Sequence, residues 1–441
     1  MDSVRVGIIG TGYVGLVSGA CFGELGFQVT CGDVIEEKVN LINMGKPPIY
    51  ENGLDDLLPV LVSKKLLRAS LKTNDVVENS DVIFICTGTP SREDGSIDLT
   101  YIKSATEDIG SALRNTNQYK TIIVKSTVVP GTTESFVKSI LEEKSGKKCG
   151  DEFGLGMNPE FLMEGIAMED FKNPDRIVIG AVNDRSYSMI SQLYDSFTCP
   201  IMRVSPTTAE MIKYASNSFL ALKISFINEL ANLSEKIGAD ISQVAEGMGY
   251  DKRISPKFLR PGVGFGGSCF PKDVKALANL AKVNGMESLT LNAALNVNLV
   301  QPKRAVTHLK ELMDVKDKTI GLLGLAFKPE TDDMREAPSA TIANELLKEG
   351  AHVIGYDPVA NENARRYLPK GVNVVESADE VLKQSDGVIL VTEWNEFRNM
   401  PISKFESMKG RIIVDGRRVL SAEKFREAGF QIRILGTKPS Q

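Results

Sequence analysis

Cys269 is the residue most open to covalent chemistry. It stands in "GFGGSCFPKD" (264–273), behind Gly264, Gly266 and Gly267 and just ahead of Phe270, Pro271, Lys272 and Asp273. Structural cysteines favour apolar strands and helices. Here flexible backbone and opposite charges surround the thiol, a setting in which a thiolate can be formed and reached. Two polar pairs have suggestive spacing. Lys213 and Asn217 lie four residues apart in a helical stretch, so they share a face beside Ala215, Phe219 and Leu220; they either orient an oxygenated substrate or meet solvent. Glu160 and Glu164, in "MNPEFLMEG" (157–165) with Phe161 and Leu162 between them, read as a helical turn after Pro159. They either polarise water or sit on a helix surface.

A third pattern names a cofactor class. "GTGYVG" (10–15) follows a β-branched run and opens a helical one. Gly10 permits a tight turn, Gly12 lets a pyrophosphate approach the backbone, and Gly15 lets helix and strand pack closely, with Tyr13 and Val14 in the first helical turn. The helix N-terminus offers N–H groups to the phosphates. Asp33, at the end of the next strand, suits two ribose hydroxyls and would repel a 2′-phosphate, so NAD is expected rather than NADP. Oxidising an alcohol to a ketone with NAD needs no nucleophilic sulfur, whereas carrying an aldehyde on to an acid does. Sulfur adds to the carbonyl, the thiohemiacetal is oxidised, and the thioester is hydrolysed.

Positioning these groups requires several elements. "VRVGIIG" (4–10), "FQVTCGD" (27–33), "DVIFICTGT" (81–89) and "TIIVKST" (121–127) read as buried parallel strands alternating with helices. The plan recurs in order at 318–328, 348–358, 383–394 and 409–418. The fold class expected is α/β, two Rossmann-like doubly wound domains joined by a central all-helical segment. In the second copy Gly324 takes the place of Gly10, Ala326 that of Gly12 and Lys328 that of Val14. This copy is either rebuilt for another phosphate-bearing ligand, with Arg335 and Arg417 as further cations, or kept for packing. Between the copies, 205–238 reads as one helix with a Thr207–Glu210 capping box and a stop at Gly238. A second helix over 287–313 should kink or break at Pro302. The domains expected are 1–204 for NAD, 205–313 for the central helices with a face for dimerisation, and 314–441 for the second copy.

Composition narrows the partners. Of 441 residues, 25% are charged and the net charge is -5, which gives no reason to expect nucleic acid or an anionic membrane. No apolar run approaches the ~20 residues of a membrane span, and the N-terminus lacks the pattern of a signal peptide; a cytoplasmic protein is expected. The cysteines form no C-x-x-C pair, and Cys21, Cys31 and Cys86 fall in apolar runs as small buried hydrophobes. With only His308 and His352 present, both most simply structural, no metal site is expected and proton transfer falls to Lys, Asp, Glu or water.

Taken together, "GTGYVG", "GTP" (88–90), "KSTVVPGT" (125–132), "NPEFLMEG", "EMIKYASN" (210–217), "FLRPGVGFGGSCFPKD" (258–273), "GLAFKPETDDMRE" (324–336) and "DGRR" (415–418) resemble the UDP-glucose/GDP-mannose dehydrogenase family over essentially the whole chain, and within it the branch acting on UDP-glucose. The resemblance implies NAD-dependent four-electron oxidation of UDP-glucose at C6 to UDP-glucuronate, with two NADH formed. It implies Cys269 as nucleophile, Lys213 and Asp273 working with water in the first oxidation, and Asn217 holding the sugar. Thr127 and Glu160 would position water. Val14, Asp33, Lys38, Thr89, Thr127, Glu164, Lys272 and Arg335 would contact NAD. The UDP-sugar would be held by Glu160, Phe161 and Leu162, by the loop of Phe258, Leu259, Arg260, Pro261 and Gly262, by Gly266, and by Lys328 and Arg417. Arg253 would reach a partner subunit's site, so a homodimer or higher homo-oligomer is expected.

Other readings stay open. GDP-mannose or another nucleotide sugar would suit the same chemistry, although the N-acetylmannosamine branch carries histidine where Ser268 stands. A β-hydroxyacid dehydrogenase resembles the N-terminal domain and the Lys213–Asn217 pair but has no second Rossmann-like domain. A non-catalytic NAD-binding protein would need no reactive thiol.

Overall fold

The computed structural model describes residues 4–438. The chain forms two compact units, Met1–Ser216 and Asn217–Gln441. The first is built on strands β1 (Arg5–Ile9), β2 (Gln28–Gly32), β3 (Leu67–Ser70), β4 (Val82–Ile85), β5 (Thr121–Val124), β6 (Gly154–Met157), β7 (Ile177–Ala181) and β8 (Ile201–Val204). Their order is β3-β2-β1-β4-β5-β6-β7-β8, parallel except where β6 meets β7. Side chains alternate across a strand, so Phe84 and Ile123 enter one core layer while Ile83, Ile85, Ile122 and Val124 enter the other. Apolar layers on both faces explain why β4 and β5 read as unbroken apolar runs.

The second unit holds β9 (Thr319–Leu323), β10 (His352–Tyr356), β11 (Val372–Val374), β12 (Gly387–Leu390), β13 (Ile412–Asp415) and β14 (Gln431–Ile434), all parallel in the order β11-β10-β9-β12-β13-β14. This is the arrangement of β3-β2-β1-β4-β5-β6, so the sequence repeat is a repeat of topology. In each sheet the winding direction reverses beside the first strand of the copy, the place where doubly wound sheets bind ligands.

Four helices matter for the site: α1 (Tyr13–Glu24), α2 (Pro206–Ile237), α3 (Phe270–Val283) and α4 (Leu289–Leu312). Helix α2 is 32 residues long. Ser205 Oγ accepts the Thr208 N–H at 3.2 Å at its start, and Gly238 ends it at φ +80° with its N–H on Ser234 O at 2.8 Å. The expected Thr207–Glu210 box does not form. Thr207 instead donates to Glu134, and Glu210 accepts from Gly131 N (2.6 Å), Thr133 N (2.9 Å) and Thr133 Oγ1 (2.6 Å). Nor does Pro302 end a helix: α4 runs through it. Proline removes one intrahelical hydrogen bond, but Gln301, Pro302, Ala305, Val306 and Leu309 are all buried, and that packing keeps the turn helical.

Candidate functional site

In the first unit, the turn between β1 and α1 meets the steric demands expected of it. Gly10 has φ +98°, and a side chain there would strike Cys86 O at 2.8 Å; one at Gly15 would lie 1.9 Å from Gly10 O. Gly12 differs, because a Cβ there would meet nothing within 4 Å. It is the N-cap of α1, and no side chain caps the helix. Open space over an uncapped helix N-terminus fits a pyrophosphate. Asp33 follows β2. Its Oδ2 accepts from Thr11 N (2.9 Å) and Oγ1 (2.5 Å), and its Oδ1 from Ile35 N (3.1 Å). Burial opposes its charge, but the bonds from Thr11 and Ile35 and the charge of Lys38 outweigh it and hold the carboxyl below the usual range. Such an anion, with lone pairs still open, fits ribose hydroxyls and disfavours a 2′-phosphate. Thr89 and Thr127 lie just beyond β4 and β5, joined by Thr89 Oγ1 donating to Thr127 O at 3.0 Å.

The same unit holds a buried ion pair. Lys213 Nζ on α2 donates to Glu160 Oε1 at 2.9 Å, and Leu162 N donates to Glu160 Oε2 at 2.6 Å. Burial works against the Glu160 charge, yet Lys213, the Leu162 N–H and Lys125 hold it below the ordinary carboxylate range. Phe161 lies under two cations, with Arg176 at 3.6 Å and Lys213 at 5.5 Å from its ring centre. Glu160 and Glu164 are not a turn apart on a helix, since residues 158–163 form no helix or strand and Glu164 starts a turn. Glu51 fastens this loop by accepting from Gly165 N at 2.8 Å and Ala167 N at 2.7 Å.

In the second unit, Cys269 is the N-cap of α3. Sequence left this helix unassigned, yet it places the sulfur at the positive end of a helix dipole, a position that favours thiolates. Ser268 Oγ is 3.5 Å from Cys269 Sγ. One turn into α3, buried Asp273 accepts from Asn217 Nδ2 and from Lys272 Nζ, each at 2.6 Å. Asn217, Lys272 and Asp273 are therefore joined beside the residue that carries the thiol.

The loop before Cys269 is fastened, not flexible. Gly262 N donates to Asn228 Oδ1 at 2.8 Å, and Gln301 Nε2 donates to Gly262 O at 2.8 Å. Asn298 exchanges two bonds with Phe265 at 2.8 and 2.9 Å, and Gly267 N donates to Arg335 O at 2.8 Å. A Cβ at Gly266 would lie 2.3 Å from Glu336 O, so this glycine serves close approach. Phe258 holds φ +64°, while Leu259 and Pro261 are buried and Arg260 is exposed. Asn228, Asn298 and Gln301 were not singled out in sequence. Their signal was polar side chains placed on helices that otherwise bury apolar ones.

The second copy of the glycine turn is closed by protein. Asp357, the counterpart of Asp33, is fully buried. It accepts from Leu325 N (2.7 Å), Ala326 N (3.0 Å), Val359 N (3.0 Å), Ala360 N (2.9 Å) and Trp394 Nε1 (3.0 Å). Lys328 Nζ lies 5.8 Å from the Phe327 ring centre. Arg417 donates to Val391 O at 2.7 Å and pairs with Glu393 at 3.2 Å, and Arg335 pairs with Asp333 at 2.8 Å. Arg253 is 89% exposed and meets Asp251. Among the described residues there is no cluster suited to a metal ion, and no helix is long and apolar enough to cross a membrane.

Comparison with known proteins accounts for nearly all of the chain. Sequence models of the UDP-glucose/GDP-mannose dehydrogenase family match residues 4–198 as the NAD binding domain, 207–299 as the central domain and 321–422 as the UDP binding domain. The UDP-glucose 6-dehydrogenase TuaD of Bacillus subtilis (strain 168) is 43% identical, across 99% of this chain and 95% of that protein. The UDP-glucose 6-dehydrogenase AglM of Haloferax volcanii is 41% identical, across 95% and 97%. A solved UDP-glucose dehydrogenase from Pyrobaculum islandicum superposes with a TM-score of 0.91 at 40% identity, covering 98% of this chain and 97% of that one. The chain therefore belongs to the UDP-glucose/GDP-mannose dehydrogenase family, and it is an oxidoreductase whose cofactor is NAD.

Proposed function

We propose that the chain oxidises UDP-glucose at C6 to UDP-glucuronate in two successive two-electron steps. The observation that carries this is Cys269 at the N-terminus of α3, beside the Asn217–Asp273–Lys272 group, in a chain alike over its full length to UDP-glucose 6-dehydrogenases. NAD, when bound at the Gly10–Gly15 turn, takes up the electron pair of each oxidation. Lys213 and Asp273 manage, through water, the proton of the C6 hydroxyl, and Asn217 holds the sugar. The Cys269 thiolate then adds to the aldehyde carbon to give a thiohemiacetal, whose oxidation yields a thioester. Water, positioned by Glu160 and Thr127, cleaves the C–S bond, returning the thiol and releasing the carboxylate. Per sugar, one water and two NAD are consumed, and two NADH and three protons appear.

The remaining assignments belong to the same proposal. Lys38, Thr89, Glu164, Lys272 and Arg335 contact the cofactor; the 258–262 loop, Gly266, Lys328 and Arg417 hold the nucleotide sugar. Helix α2 exposes Phe219, Phe226 and Leu233 at seven-residue intervals, an apolar stripe suited to a second copy of the chain, and the enzyme works in the cytoplasm. The test is an NADH assay with UDP-glucose, UDP-galactose, UDP-N-acetylglucosamine and GDP-mannose. We expect UDP-glucose to be preferred, with two NADH per sugar; GDP-mannose preferred would overturn the substrate. One NADH with free aldehyde, or wild-type turnover by Cys269→Ser, would overturn the covalent route.

A further inference from the structure

Lys125, the residue after β5, is 4% exposed, and its ammonium makes one described hydrogen bond, to Asn158 Oδ1 at 3.0 Å. That oxygen also accepts from Tyr194 OH at 2.6 Å. An ammonium has three N–H groups to satisfy. Beyond Asn158, the neighbour described for Lys125 is the Phe84 ring, 5.5 Å from Nζ, and among the described ion pairs it has none. Asn158 stands two residues before Glu160, which binds Lys213 directly. The charged groups that act on Lys125 are Glu160 and Lys213; Cys86, just after β4, is a neighbouring thiol whose ionisation burial opposes, and Cys31 and Tyr194 interact in turn with it. Burial and Lys213 pull Lys125 below the usual lysine range, against Cys86 and Glu160. Two buried amines thus act on one buried carboxylate. Three charges of net sign +1 are costly there, so each amine lowers the proton affinity of the other.

We propose that Lys125 is a positioning residue of the reaction, one that divides the Glu160 charge with Lys213 and so sets the pH range in which Lys213 works. This rests on the role given to Lys213 above. The experiment compares wild type, Lys125→Met, Lys125→Gln, which keeps a hydrogen bond to Asn158, and Lys213→Ala. It reads kcat and KM against pH, and the 13C signals of enzyme labelled at lysine Cε, with Lys213 assigned by its absence from Lys213→Ala. Loss of the neighbouring amine should move the Lys213 midpoint and the matching limb of kcat upward by about half a pH unit or more, roughly threefold in proton affinity, with both KM values within about twofold of wild type. Midpoints and profiles superimposable on wild type, with Lys213→Ala inactive, overturn the role of Lys125 alone. Full activity in Lys213→Ala overturns the reading of Lys213 itself.

Discussion

Gly12→Ala separates binding from folding at the glycine turn. Gly12 holds φ -74° and ψ -168°, open to any residue, and a methyl there meets nothing within 4 Å. Alanine is a poorer N-cap than glycine, at a cost of up to about 1 kcal/mol. Restricting the unfolded chain returns about 0.4–1 kcal/mol. The two nearly cancel, so the cofactor-free protein should unfold within about 1 kcal/mol of wild type. Binding should respond very differently. NAD at one hundred times its dissociation constant stabilises the wild type by about 2.7 kcal/mol. A methyl where the pyrophosphate should lie is expected to weaken binding about 100-fold, leaving about 0.4 kcal/mol at the same concentration. Urea unfolding with and without NAD reads both quantities. Wild-type stabilisation by NAD in the variant would refute the placement of the phosphates, and several kcal/mol lost without cofactor would refute the open space. Gly15→Ala is the contrast. Its methyl would lie 1.9 Å from Gly10 O, so the cofactor-free protein itself should lose about 1–3 kcal/mol.

Burial pushes the thiols of Cys21, Cys31 and Cys86 up to about 12, leaving about one in 10,000 ionised at pH 8; iodoacetamide followed by mass spectrometry should mark Cys269 well before these three, and equal labelling would contradict the assignment. Lys213→Met strands the buried Glu160 carboxylate and should destabilise by about 3 kcal/mol, with Lys213→Met/Glu160→Leu recovering more than half; an unchanged single variant in urea would show that the pair is solvated. Burial raises Glu210 from 4.5 to about 7, against the bonds from Thr133 and Gly131. The folded protein therefore holds an extra proton between those values, so this stabilisation is full below pH 4.5 and lost as pH rises through about 7, to a total of about 3 kcal/mol. Glu210→Gln should remove that slope from stability measured against pH, and identical slopes in the two proteins would sink the argument.

The repeated sheet was legible because parallel strands buried on both faces are written as continuous β-branched runs at recurring spacing, as at 318–323 and 5–9. Gly10 and Gly15 were legible because each answers a local steric demand of the turn, whereas Gly12 and Asp33 were read from the space and charge that a bound dinucleotide would require. Contacts decided by tertiary packing were not. Glu210 has the spacing of a capping box, but its carboxylate is drawn to the donors of Gly131 and Thr133. Pro302 carries a helix-breaking signal that burial overrides. Glu160 and Glu164 have helical spacing, but the pairing of Glu160 with Lys213, 53 positions away, is a distance no local pattern encodes. The three glycines before Cys269 suggested looseness, whereas the backbone around them is clasped at Gly262 and Phe265 by Asn228, Asn298 and Gln301 from other helices, and at Gly267 by Arg335 O.

The stopper that Asp357 and Trp394 form in the second glycine turn has a kinetic consequence. It closes the second turn to a dinucleotide and leaves the Gly10–Gly15 turn as the expected berth, so equilibrium dialysis should count one NAD per chain. Under the proposed reaction that berth must be vacated and refilled between the two oxidations. The half-finished sugar, moored through its C–S bond, waits out the exchange, and the turnover becomes a relay in which the cofactor changes while the cargo stays aboard.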